Sequence, residues 1–347
     1  MKKLTKKLAA LLAVVSLLAL GLAACSGNPD SSSPDSGTSA DSGASADSNT
    51  DPKVIGIIQL MEHPALDAAR VGFVDALEEN GYVDGQNIEI KYYNAQNDQS
   101  NCQTIAQTLV SNQCDLILAI ATPAAQAVAT VTQDIPILVT AITDPADSGL
   151  VESNEAPGGN VSGTSDLTPV KEQMELLKQL YPNVKKVGML YTSSESNSEF
   201  QVNLAKEAAA ALGIETEDYT ISEANEIQQV TQSAIGKVDA LYVPTDNTLA
   251  GAMTSVTQIT TPAGLPVIVG EEGMVSGGGL ATYGINYTEL GKLTGEQAVQ
   301  ILKGEAEPAT MPIGYLTDFA LTINKTTADA LGVTIPDDLA ASATFVE

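Results

Sequence analysis

Tryptophan is absent from the 347 residues, and histidine occurs once. Cysteine occurs three times and phenylalanine four times. Bases are scarce as well: 16 Lys and Arg stand against 43 Asp and Glu, for a formal charge of −27. Each shortage excludes something. A single His rules out His-rich zinc sites and leaves little for His-activated nucleophiles. A polyanion of this density repels nucleic acid and anionic lipid head groups. Without Trp, the usual stacking platform for a sugar ring is missing. Cys102 and Cys114 bracket one predicted helix. Their separation of 12 residues spans about 18 Å of helix, whereas a disulfide needs Cα atoms within about 7 Å. They are expected to be free thiols.

What is present begins at the N-terminus. Lys2, Lys3, Lys6 and Lys7 precede an apolar run from Leu8 to Leu20, and Leu22-Ala23-Ala24-Cys25 follows. A basic start, a short apolar stretch and small residues before a cut site make a secretory signal over residues 1–24, too short for a spanning helix. Leu-Ala-Ala-Cys resembles the lipobox of bacterial lipoproteins, in which the signal is cut before the Cys and the thiol carries a diacylglycerol. Residues 25–52, rich in Ser, Asp and Gly with Pro29 and Pro34, read as a disordered tether behind that anchor. Removing residues 1–24, which hold four lysines and no acid, takes the charge from −27 to −31. The expected location is the outer face of the cell membrane, reached through lipid alone.

From Lys53 onward 295 residues remain, enough for two domains. Short apolar runs alternate with helical periodicity: strands at 54–60, 88–93, 116–120 and 135–140, helices at 64–80, 100–112 and 123–131. A glycine-rich stretch, Pro157-Gly158-Gly159-Asn160-Val161-Ser162-Gly163, reads as a joint. The rhythm then restarts, with helices at 169–180, 199–212, 223–235 and 249–260 and strands at 187–191, 214–219, 240–243 and 267–269. A last strand at 280–284, a helix at 287–303 and a strand at 319–323 are too little for a third domain. They complete the two lobes, so the chain crosses between them more than once. The expected fold class is α/β: two Rossmann-like lobes with parallel sheets joined by a multi-segment hinge. The expected lobes are 53–162 plus 285–315 and 163–284 plus 316–347.

In an open parallel sheet the ligand crevice lies at the C-terminal ends of the strands. The residues following each predicted strand are therefore the candidate site. In the first lobe they are Gln59, Glu62 and His63, then Thr122, then Thr143 and Asp144. In the second they are Tyr191, Ser193, Ser194, Ser196 and Asn197, then Asp246 and Asn247, then Glu271. Ser, Thr, Asp and Asn also cap helices for structural reasons alone, but the 193–198 turn offers more polar groups than one cap needs. No nucleophile–base pair and no metal cluster is evident, and Gly277-Gly278-Gly279 precedes a strand, the wrong context for a phosphate loop.

At His63-Pro64-Ala65-Leu66-Asp67, Ala121-Thr122-Pro123-Ala124-Ala125-Gln126, Ile142-Thr143-Asp144-Pro145, the 157–163 run, Ser193-Ser194-Glu195-Ser196-Asn197-Ser198 and Asp246-Asn247-Thr248, the chain resembles the substrate-binding lipoproteins of ABC importers. More closely, it resembles the group whose characterised members bind tryptophan, tyrosine or phenylalanine. The resemblance runs from Lys53 to the C-terminus. It implies a type I periplasmic-binding-protein fold, a small-molecule ligand held between the lobes, an ABC permease as partner, a monomer, and neither catalysis nor cofactor. An amino acid needs hydroxyls and helix-start N–H groups for its carboxylate, which Thr122, Ser193, Ser194 and Ser196 supply. Its ammonium needs a carboxylate, for which Asp246 is the first candidate, and its side chain a wall, for which Leu60, Met61, Pro64, Pro123, Tyr191 and Tyr283 are available. A branched-chain amino acid, a nucleoside and a sensory role remain as alternatives.

Replacing Cys25 with Ala should move the protein from the membrane fraction to the soluble fraction. Fractionation with a labelled fatty acid tests this: a variant that stays with the membrane, beside a native chain that takes up no label, would contradict the anchor.

Overall fold

The structure, a computed structural model, describes residues 52–347; the expected signal, Cys25 and the expected tether up to residue 51 lie outside the described residues. The first run of elements is β1 (Lys53–Gln59), α1 (Pro64–Glu79), β2 (Ile88–Asn94), α2 (Gln99–Ser111), β3 (Leu116–Ile120), α3 (Thr122–Ala129), β4 (Ile137–Ile142) and β5 (Val161–Ser165). The second is α4 (Val170–Leu180), β6 (Lys186–Thr192), α5 (Ser196–Ala211), β7 (Glu215–Ile221), α6 (Ile227–Ala234), β8 (Ala240–Val243), α7 (Asn247–Ala250), α8 (Met253–Thr260), β9 (Val267–Val269), α9 (Glu272–Ser276) and β10 (Ala281–Gly284). The chain ends with α10 (Tyr287–Leu302), β11 (Gly314–Tyr315), β12 (Ala320–Asn324), α11 (Lys325–Leu331), α12 (Asp337–Ser342) and β13 (Thr344–Val346).

These strands form two sheets, ordered β11-β5-β4-β3-β1-β2 and β13-β12-β10-β9-β8-β6-β7. The first is parallel throughout. In the second, β12 runs antiparallel to β10. The central strands β3 and β4 are buried along their whole length, which explains their continuous apolar runs: helices cover both faces of a parallel sheet. The chain crosses between lobes three times, after β5, between β10 and α10, and between β11 and β12.

Two expectations about the joint are corrected. Gly163 and Ser165 pair with Val139 and Ile142 of β4, so β5 belongs wholly to the first lobe and the boundary at residue 162 cuts a strand. The glycine-rich run is not the joint. It packs within the first lobe, where Gly158 N donates to Ala309 O and Ile137 N to Asn160 O. The first crossing comes after Ser165. The predicted helix at 249–260 is also two helices, α7 and α8, broken at Gly251 and Ala252. There Met61 of the first lobe packs so closely on Gly251 that a Cβ would overlap it.

The second crossing is anchored by backbone contact. Helix α10 lies against α1, and an added Cβ at Gly291 would overlap the Ala69 carbonyl while one at Gly72 would overlap that of Thr288. Any side chain there must push the helices apart. Gly291→Ala should lower stability by about 1–3 kcal/mol. Gly159→Ala, which meets no atom within 4 Å, should change it by less than about 0.5 kcal/mol. Urea denaturation compares the two; equal midpoints would contradict the contact.

Candidate functional site: a cleft with buried carboxylates

The C-terminal ends of β1, β4 and β5 face those of β8 and β9 across a narrow cleft that holds a cavity of about 30 Å³. From the first lobe and the crossings come Met61, His63, Leu66, Ala141, Thr143, Asp166 and Tyr287. The second lobe supplies Asn197, Thr245, Asp246, Asn247, Ala250 and Glu271. An adjoining open cavity of about 620 Å³ lies between the starts of α3 and α5, lined by Leu60, Thr122, Pro123, Ser194 and Ser196, and it shares Asn197. The cleft walls carry unusual backbone. Ala141, within β4, and Ala121, at the start of α3, have φ of 55° and 79°, a region costly for any residue with a Cβ. At Ala141 the β4–β5 register is irregular, and the residue turns toward the cleft.

Hydrogen bonds close the lobes on each other. Gln201 Nε2 donates to Thr143 Oγ1 at 2.8 Å, and the Thr143 and Thr245 hydroxyls lie 3.3 Å apart. Gln201 also donates to Thr245 Oγ1, and Thr245 N donates to Gln201 Oε1. Nearer the rim, Gln126 Nε2 reaches Ser196 Oγ and Asn97 Nδ2 reaches Thr248 Oγ1, each at 3.5 Å. His63 Nε2 stands 3.8 Å from Glu271 Oε1 across the cleft.

Four buried acids surround this space. Asp246 accepts from Thr192 N, Thr192 Oγ1, Ser198 Oγ and Leu249 N, and it caps α7. Burial and the neighbouring Glu195 push its pKa up, against the pull of those donors. Glu195 accepts from the backbone and side chains of Asn247 and Thr248. Glu271 caps α9 through Gly273 N and Met274 N, and burial pushes its pKa up to about 7. Asp166 differs. Its Oδ2 accepts from Tyr287 Oη at 2.9 Å, while its Oδ1 is buried without a partner. Burial pushes its pKa up to about 6, opposed by the Tyr287 hydroxyl and, more weakly, by the nearby Thr143 hydroxyl.

The structure brings His63, Thr143, Asn197, Asp246, Asn247 and Glu271 onto the cleft, and Thr122, Ser194 and Ser196 onto the adjoining cavity. It takes five candidates elsewhere. Gln59 braces the β1–α1 turn through Met61 O, Asp67 and Arg70. Glu62 is exposed. Asp144 folds back on Asn154 and Asp147 N. Ser193 donates to Ile221 O. Tyr191 is packed in the second-lobe core, and Tyr283 lies against it. Asp246 keeps its place on the wall, but its oxygens already hold four donors, so it is a structural cap rather than a free partner for an ammonium. His63 caps α1, with Nδ1 3.4 Å from Ala65 N, and burial lowers its pKa. Asp166 and Tyr287 were missed; both belong to crossing segments. Asp166 does follow a parallel strand, and the same strand-end rule names it once the glycine-rich stretch is seen to lead into β5, ending at Ser165, and not into a joint. Among the described residues no group of three or more metal-ligating side chains comes together.

Known proteins resemble this chain over most of its length. The tyrosine-binding protein of Clostridioides difficile (strain R20291) is 47% identical over 279 residues, covering 80% of this chain and 81% of that protein. An ABC domain from Streptococcus pneumonia in complex with L-Trp matches with a TM-score of 0.82 at 41% identity, over 85% of this chain and 100% of that one. The ligand-free, open structure of a substrate binding protein with adhesive properties from Clostridium difficile is closer in sequence, at 48% identity over 85% of this chain and 99% of that one, yet its TM-score is 0.67. The architecture is of the periplasmic-binding-protein type I kind. The family described as ABC transporter substrate binding protein matches residues 54–347, and the chain belongs to it, a family of binding proteins rather than enzymes.

Proposed function

We propose that this chain captures an aromatic amino acid between its lobes and presents it to an ABC permease. The observation that carries the reading is the unpaired Oδ1 of Asp166 in the cleft. A buried carboxylate oxygen without a donor is costly, and an α-ammonium supplies both the donor and the opposite charge. The starts of α3 and α5, with Thr122, Ser194 and Ser196, offer N–H and hydroxyl donors to the α-carboxylate. Met61, Leu66, Ala141, Ala250 and Tyr287 give the side chain an apolar bed. The tyrosine-binding relative and the L-Trp complex support the ligand class. Closure then follows from the ligand's preference for the closed state. The lipobox-like Leu22–Cys25 supports a lipid anchor outside the membrane. Among the described residues no helix is long and apolar enough to cross one.

Calorimetric titration with tyrosine, tryptophan, phenylalanine, leucine and adenosine tests the ligand. Asp166→Asn should weaken aromatic amino acids by about tenfold or more, since a hydrogen bond to a charged group is worth about 1.5–3 kcal/mol. Asp246→Ala should act on stability instead, lowering it by about 3 kcal/mol as its buried donors lose their acceptor. The pH dependence has a definite sign. The ammonium pairs with the ionised Asp166, so binding pulls its pKa down from about 6. Affinity should be flat above pH 7 and fall as pH drops below 6, by up to about tenfold per unit, with one proton released on binding there. Affinity constant from pH 5 to 8, or unchanged in Asp166→Asn, would contradict the assignment.

A further inference from the structure

A second acceptor in the cleft is left unpaired. Asn197 is 3% exposed, and its Oδ1 is buried without a partner. Its Nδ2 lies 3.1 Å from Thr245 O, 3.3 Å from Glu195 Oε2 and 3.4 Å from Ser198 Oγ. A carbonyl and a carboxylate only accept, so turning the amide round would set oxygen against oxygen. The surroundings therefore leave Oδ1 as an acceptor without a donor, on a residue that lines the cavity.

The two unpaired acceptors stand in different places and differ in kind. Asp166 follows β5 in the first lobe, beside Tyr287. Asn197 lies in the first turn of α5 in the second lobe, against Thr245. An ammonium in a buried site needs the carboxylate, because a neutral amide leaves its charge uncompensated. Asn197 then suits a neutral donor elsewhere on the ligand. We infer that Asn197 is a specificity-determining residue whose Oδ1 accepts the ligand's side-chain donor, the phenol O–H of tyrosine or the indole N–H of tryptophan, selecting both over phenylalanine. This rests on the aromatic-amino-acid reading above. An apolar pocket alone cannot tell tyrosine from phenylalanine strongly. A site built to hydrogen-bond the hydroxyl rejects the analogue that leaves its acceptor unpaired.

Calorimetry on the full chain with tyrosine, phenylalanine and 4-fluorophenylalanine tests it. The native protein should bind tyrosine about tenfold or more tighter than either analogue. In Asn197→Ala the loss should fall on tyrosine, bringing the tyrosine-to-phenylalanine ratio near one. A merely structural role would weaken all three alike and keep the ratio. Should Asn197→Ala fail to fold, the analogues on the native protein still decide. Equal binding of tyrosine, phenylalanine and 4-fluorophenylalanine by the native protein, as when both acceptors share one ammonium, or an unchanged ratio in the variant, overturns the inference alone. No heat with any aromatic amino acid overturns the reading beneath it and the inference together.

Discussion

A carboxylate removed from water needs its oxygens filled by donors, and this constraint organises the centre of the molecule. With 43 acids against 16 bases, the chain has few cations to place beside its buried acids. It uses helix starts instead. Asp246 takes Leu249 N in α7, Glu271 takes Gly273 N and Met274 N in α9, and Glu195 takes the N–H groups of Asn247 and Thr248. Each bond fixes a turn that follows a strand, and those turns form the second-lobe wall of the cleft. Helix-start N–H groups supply the donors, so these acids are held without Lys or Arg. Asp166 follows β5 at a crossing where no helix start meets it, and it keeps one oxygen open.

The same residues tie recognition to closure. Thr143 belongs to the first lobe, Thr245 and Gln201 to the second, and their mutual hydrogen bonds form beside the cavity. Met61 packs on Gly251 across the cleft. These contacts are made only when the lobes meet, so a ligand that fills the space between Asp166 and Asn197 is held by both lobes at once. Its differential contact with the closed state sets how far the equilibrium moves. The hinge has a fixed side in this: α10 is locked onto α1 by backbone contact at Gly72 and Gly291.

Much of this was legible from periodicity. The runs at 116–120 and 240–243 are strands because they are apolar throughout and buried on both faces, a pattern with little ambiguity. Strand β5 was not legible, since Val161-Ser162-Gly163-Thr164-Ser165 has no apolar rhythm. It is held by hydroxyls: Ser162 to Met311 O, Thr164 to Thr140 and Thr294, Ser165 to Thr143 O. These partners lie up to 149 residues away in sequence, beyond any local window. Losing β5 meant losing Asp166 behind it. Asp246 lies on the cleft wall, but its oxygens are filled, because sequence position does not tell how many donors will surround a carboxylate. Which oxygen is left without a partner shows only in the folded chain, where the capping bonds can be counted.

The most direct measurement is a crystal structure of the protein grown with tyrosine. The amine nitrogen is expected within hydrogen-bond distance, about 3 Å, of Asp166 Oδ1, with the ring between the lobes beside Met61 and Ala141. A tyrosine amine held by Asp246, or a ligand lying outside the space between the lobes, would contradict the assignment of Asp166 as the open carboxylate of the site.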